Sequence, residues 1–394
     1  MNNTQQLNIE YFSLQSLFWM TYCMVVGFSV TYLLSCGYSN SEAGYILASA
    51  NICALILQPF FADLADRSKK INAMTIFLVS IEIIFVCSIG LFFIGVRSHI
   101  LTLIYVVMIT LANAVIAFLT SIQFLMDTSK SKINFGLCRA GGSLCFAILS
   151  ALMGIMIERI GMKSIPLALF IITLLMIGLC IFITRHSING NIKAVLTLEK
   201  KRSSSLFVFF NENPRFMILS IAMLFIYYAH AFITNFTISI VRNVGGDNRE
   251  MGYLIAFMAL MELPGMIGFK EISRRFKVSS LLLFSMIMFS IKAIIVWLSP
   301  SLMTLTFGFA LQVVSFAIYI PASVQYANII IDEKDTVKAQ MMFNLMQTGG
   351  AVFSSIIGGW LIDFSGISHA LLIGAILSCI GTIIAFAGIQ NTKR

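Results

Sequence analysis

The chain has 394 residues, of which 59% are hydrophobic and only 11% charged, with a formal net charge of +9. Average soluble domains carry about 25% charged residues, and a water-soluble chain with a mean hydropathy of +0.93 could not hide so much apolar surface. The basic residues fall in short segments between hydrophobic runs, with no basic stripe and interleaved aromatics, which argues against a nucleic-acid surface and for a polytopic membrane protein in a lipid bilayer.

The opening residues, MNNTQQLNIEYF, lack a basic n-region and a small-residue cleavage site, so no removable signal peptide is expected. At about 20 apolar residues per crossing, twelve spans are predicted, at 12–35, 43–63, 71–95, 100–127, 136–158 and 164–184, then at 214–241, 250–270, 279–298, 301–331, 337–363 and 367–390. The longest polar segment runs from Arg185 to Pro214 and divides them six and six. The expectation is an all-α membrane protein of two pseudo-symmetric six-helix bundles, 1–184 and 214–394, joined by a cytoplasmic middle loop at 185–213. With the N-terminus inside, 19 of the 26 Lys and Arg fall in inner segments and 5 in outer ones. That bias predicts a multi-pass protein of the cytoplasmic (cell) membrane with both termini in the cytoplasm.

Charges inside the spans are the informative residues, because an ionised side chain at the bilayer centre costs at least ~2.5–3.5 kcal/mol. Arg139 stands about one turn inside span five, among the small residues Gly136, Cys138, Ala140, Gly141, Gly142 and Ser143. A guanidinium offers five donors in a fixed fork, so Arg139 reads either as a ligand-gripping residue or as a member of a structural ion pair. Glu262 lies in mid-span in ALMELPGMIG, with Pro264 and Gly265 beside it, and Lys292 lies in SMIMFSIKAIIVWL. One buried anion and one buried cation on adjacent spans would balance each other. His230, near Tyr227, Tyr228 and Asn235, could join them or could be a satisfied core residue. Glu82, deep in IFLVSIEIIFVCSIG, has no evident assignment. Glycines within the spans, Gly141 and Gly142 among them, read as residues that permit tight helix contacts.

Span two ends in QPFFADLADRSKK, where Asp66, Arg67 and Lys70 suit a gating loop, and GFKEISRRFK repeats the pattern after span eight. The eight cysteines are scattered, without a CxxC or a Cys/His spacing for a metal, and no phosphate-cradling loop, nucleophile elbow or HExxH occurs. No cofactor, no metal and no enzymatic activity are therefore expected.

Twelve spans in two halves with ADLADRSKK after the second resemble the major facilitator superfamily. ILQPFFADLADR, FGLCRAGGSLCFA, the Asn235 region, GYLIAFMALMEL, FSIKAII and GGWLIDFSGISHALL resemble, in order and spacing, the lactose permease-like oligosaccharide/proton symporters. That resemblance implies substrate binding by Arg139, Phe146 (an aromatic platform for a sugar ring), Glu262 and Asn235. It implies proton coupling through Glu262, Lys292, His230 and Asp127. The chain departs from the family in span ten, where Gln312 and Ser315 replace titratable residues, and in span eleven, where Gln347 stands near a family lysine. The implied function is secondary active, proton-coupled import of a sugar-like small molecule by a monomer. Nucleoside uptake, uncoupled facilitation and multidrug efflux are the alternatives, and a membrane solute sensor is a further one.

Overall fold

The computed structural model describes residues 3–68, 71–127, 133–188, 206–332 and 335–392, and all regular structure among them is helical. Among these described residues, ten helices are long and apolar enough to cross a membrane: Asn40–Ala65, Ala73–Phe93, Gly136–Ile160, Ser164–His186, Pro214–Asn235, Asn248–Arg275, Val278–Leu298, Leu302–Ile330, Lys338–Ser365 and Ile367–Gly388. Two bent pairs complete the set at twelve: Thr4–Gly27 with Ser29–Ser35, bent by 41°, and His99–Ala114 with Ile116–Met126, bent by 43°. Counted in chain order these are spans one to twelve.

Local chemistry sets the ends. Asn72 caps span three by accepting from Thr75 N at 2.9 Å, and Ser98 caps span four by accepting from Leu101 N at 3.2 Å. Asp247 and Glu250 form a capping box at the start of span eight. Span one begins earlier than residue 12, because the polar stretch before it stays helical. There the exposed Gln6 donates from Nε2 to Oε1 of the buried Glu10 at 2.9 Å, an i,i+4 pair that supports the turn.

Contacts divide the chain into two units, Met1–Ser39 with Ile46–Glu199, and Asn40–Tyr45 with Lys200–Arg394. Within the first, span one packs on spans five and six, and span three on spans four and six. Within the second, span seven packs on spans eleven and twelve, and span nine on spans ten and twelve. The two patterns correspond member for member. Glycines of positive φ sit at matching turns as well: Gly37 and Gly245 after the first span of each unit, Gly161 and Gly366 after the fifth. Only glycine adopts those φ values (84–91°) without strain. An internal repeat of six spans is thus written into both packing and turns.

Several spans are interrupted. A π-helical turn at Cys23–Gly27 breaks span one and another at Ser354–Gly358 breaks span eleven. Span ten passes through a 3-10 turn at Leu311–Val313. Such irregular turns inside membrane helices are tolerated where neighbouring groups or a water-lined cavity satisfy the freed backbone.

Candidate functional site

In the first unit the site is built on the seam between spans one and five. A Cβ on Gly141 would collide with the Phe12 ring, and one on Gly142 would meet Trp19 Cδ1 at 2.5 Å. The glycine pair therefore forms a notch that admits two aromatic side chains of span one. Arg139, a turn earlier, places its Cζ 4.0 Å from the centroid of the Trp19 ring and donates from Nη1 to Ser143 Oγ at 2.8 Å. Stacking of this kind attracts a guanidinium by about 0.5–2 kcal/mol, depending on desolvation. A chain of bonds fixes the indole: Trp19 Nε1 donates to Gln15 Oε1 (3.0 Å), Gln15 Nε2 to Tyr11 Oη (2.8 Å), and Tyr11 Oη to the Leu119 carbonyl (2.9 Å). Trp19, Gln15 and Tyr11 do not stand out in the sequence. Uncharged polar and aromatic residues in a span carry no cost signal, and their common face appears only once the helix phase is known.

Phe146 does not cover Arg139. Its ring lies instead against Gly27, 3.8 Å from where a Cβ would stand. The seven-residue step from Arg139 does keep the two on one side of span five, but a ring from span one reaches the guanidinium first.

In the second unit, spans eight, nine and ten meet at a linear chain of polar side chains. Lys292 Nζ, 1% exposed, donates to Gln312 Oε1 at 2.6 Å, and Gln312 Nε2 donates to Glu262 Oε1 at 3.0 Å. The ammonium also lies 3.9 Å from Met258 Sδ and 5.5 Å from the Phe309 ring centroid. A charge-assisted hydrogen bond contributes roughly 1.5–3 kcal/mol, comparable with the insertion cost of the lysine itself, so Gln312 is the contact that makes Lys292 tolerable. Between Glu262 and Lys292, the anion and cation expected from the sequence to balance each other, stands the Gln312 amide. Gln312 occupies the 3-10 turn of span ten, and Gly265 lets span eight close on that turn: a Cβ there would meet Val313 O and Ala317 Cβ at 2.5 Å. Ser315 donates its hydroxyl to the Leu311 carbonyl at 2.7 Å, which also accepts from Ser315 N at 2.9 Å, so this side chain is turned back onto its own helix.

His230 is enclosed by rings, stacked on Phe316 at 5.1 Å and edge-on to Phe289 at 5.2 Å and Tyr227 at 5.3 Å. Its Nδ1 is buried and bonds no described residue. Asn235 donates to Ser355 Oγ at 3.1 Å, and Gln347 to Tyr319 Oη at 2.9 Å. Asp127 follows span four and accepts from Ile133 N at 2.8 Å. Asp66 and Arg67 belong to the last turn of helix Asn40–Arg67, while Lys70, together with the middle-segment residues 189–205, lies outside the described residues. Glu82 is exposed, on a face shared with the exposed Val79, Ile83 and Val86. Among the described residues no group of three or more His, Cys, Asp or Glu side chains could hold a metal ion.

Two interrupted helical units, each with ionisable residues held inside its spans, have the make-up of a carrier, and comparison with known proteins agrees. The model of the MFS_1 like family matches residues 7–372. The chain belongs to that family. It is a membrane transporter of the major facilitator superfamily, not an enzyme. A maltose permease of Geobacillus stearothermophilus is 21% identical over 347 residues, covering 88% of this chain and 85% of the permease. The uncharacterized transporter YwbF of Bacillus subtilis (strain 168) is 25% identical over 355 residues, 87% of this chain and 83% of its own. Among solved structures, a mutant of the nucleoside transporter NupG superposes with a TM-score of 0.80 at 15% identity, covering 98% of this chain and 99% of its own. An auto-inhibited POT family peptide transporter gives 0.79 at 10% identity, over 97% and 96%. At those identities the structural matches speak to the fold alone.

Proposed function

We propose that this transporter imports a sugar or related polyhydroxylated solute across the cytoplasmic membrane by alternating access, coupled to protons. The observation that carries the reading is the Glu262–Gln312–Lys292 chain, a carboxylate and an ammonium held inside three spans by a neutral amide. Gln312 does not titrate in the physiological range, so the proton is assigned to Glu262, with Lys292 as its counter-charge. His230, closed in by rings, and Asp127, bonded to Ile133 N, take secondary parts at most. Arg139 and Glu262 are assigned to substrate binding, since a guanidinium donates to hydroxyl groups and a carboxylate accepts from them. The maltose permease relative supports a saccharide, and the sequence of the loop after span two assigns a gate there to Asp66, Arg67 and Lys70.

Uptake of radiolabelled maltose and uridine by proteoliposomes, with and without an inward proton gradient, tests the reading. The gradient is expected to accelerate uptake of one of them. Glu262→Gln is expected to lower gradient-driven uptake by about tenfold or more, the size of one lost charge-assisted bond, while exchange across equal concentrations persists. Wild-type uptake indifferent to the gradient would remove coupling and leave a facilitator.

A further inference from the structure

The first unit holds a second polar constellation, distinct from the Arg139–Ser143 bond. Tyr22 Oη donates to Asn113 Oδ1 at 3.0 Å, and Asn113 Nδ2 donates to Asn51 Oδ1 at 2.9 Å. Gln58 Nε2 reaches the Asn113 carbonyl at 3.2 Å. Spans one, two and four therefore meet through a phenol and three amides near the middle of each helix. The Tyr22 ring lies 5.3 Å from that of Trp19, inclined by 58°, so the cluster continues without interruption to the indole that covers Arg139.

Three observations separate this cluster from ordinary packing glue, which hydroxyl and amide contacts between membrane helices can also be. First, Asn51, Asn113, Tyr22 and Trp19 are all only half-buried, and Asn51 Nδ2 bonds no described residue. An amide donor left over at mid-span is costly in hydrocarbon and belongs beside water or a polar ligand. Second, both bent spans break at this level: the π-turn of span one starts at Cys23, directly after Tyr22, and span four bends by 43° just past Asn113. Interrupted membrane helices are where carriers build their sites. Third, the internal repeat pairs the cluster with the charged chain of the other unit. In each unit the fourth span bears an amide at its break, Asn113 or Gln312, and that amide donates to a polar side chain of the second span, Asn51 or Glu262.

We propose that Trp19, Tyr22, Asn51 and Asn113 form a saccharide subsite adjoining Arg139, in which the apolar face of a sugar ring rests on the two aromatic rings and its hydroxyls exchange hydrogen bonds with the two asparagines. This inference rests on the polyhydroxylated substrate proposed above. It puts the aromatic platform on span one and assigns Phe146 to packing.

Trp19 can report on the subsite directly, since the other two tryptophans, Trp297 and Trp360, lie in the second unit. In a W297F/W360F double variant, titration with maltose and with uridine is to be followed by Trp19 emission, with radiolabelled uptake measured on the same preparation. A transported solute is expected to change Trp19 emission saturably. Asn51→Ala and Asn113→Ala are expected to raise its apparent Kd by about three- to tenfold, as for loss of one neutral hydrogen bond, and Asn113→Gln is expected to recover part of that loss. Unliganded melting temperatures are to be compared alongside. Uptake with unchanged Trp19 emission and unchanged affinity in Asn51→Ala would overturn the subsite while leaving the transport reading intact. Equal losses of melting temperature and affinity without rescue by Asn113→Gln would assign the cluster to packing and overturn it too. No uptake or binding of either probe would instead overturn the sugar-like substrate, and the subsite with it.

Discussion

At the scale of single residues, two of the basic groups inside the spans rest against a neutral neighbour. Arg139 lies on an indole and Lys292 on an amide, and in both cases the neighbour sits on another helix. Replacing Gln312 by leucine removes the acceptor of a fully buried ammonium, which costs roughly 1–3 kcal/mol or more. The Gln312→Leu protein is expected to melt several degrees lower and to lose gradient-driven uptake at least tenfold, measured by thermal shift and vesicle assay. Glu82 offers the contrast: exposed beside Val79, Ile83 and Val86, it contacts no part of either polar chain. Glu82→Gln is expected to leave uptake within about twofold of wild type, the range of a surface substitution, when the two proteins are assayed side by side. The charges themselves are legible in the sequence, because a Glu or Lys in an apolar run stands out by its cost. Gln312 is legible only as a departure from a family pattern, not as the bridge it is. Trp19, Asn51 and Asn113 are not legible, since an uncharged residue in a span declares neither its face nor its partner.

At the scale of elements, glycines decide where helices come close enough for these contacts. Gly142 makes room for Trp19, and Gly265 brings span eight onto the 3-10 turn that carries Gln312. Gly265→Val would force the two spans apart or distort the turn, an overpacking that costs about 1–3 kcal/mol. The expected result is a lower melting temperature together with a pH profile of uptake that loses its dependence on Glu262. A Gly265→Val protein with wild-type melting and wild-type pH profile would show that the close approach is dispensable. Beside Pro264 the sequence suggests a loosened helix at Gly265, where the chain keeps one continuous helix, Asn248–Arg275, that closes on span ten. Gly142 reads from sequence as a packing residue, which agrees with its contact with Trp19, but the sequence does not say which ring it admits. Nor does it place the π-turns at Cys23–Gly27 and Ser354–Gly358, because hydropathy and length are blind to a single extra residue in a helical turn.

At the scale of the whole molecule, twelve spans and their division six and six follow from hydrophobic length and one long polar segment, which are the properties a bilayer imposes most strictly. Starting points differ by several residues where polar helix continues beyond the apolar run, as it does before Tyr11 in span one. The repeat is foreshadowed by the matching basic loops after spans two and eight, and the packing of spans within each unit and the paired glycine turns carry it in full. The bias of basic residues toward alternate loops predicts both termini in the cytoplasm. A green fluorescent protein fused after Arg394 is expected to fluoresce and an alkaline phosphatase fused there to be inactive, and the opposite pair of results would invert the topology.

The proposed coupled import requires that solute and proton move together, with Glu262 as the proposed proton carrier. Its most direct test is proton movement itself: a pH-sensitive dye sealed inside proteoliposomes, with no gradient imposed, and maltose or uridine added outside. Acidification of the lumen on addition of the transported solute, abolished in Glu262→Gln, is the predicted result. Radiolabelled solute entering the wild-type vesicles at full rate while the dye records no change would contradict it.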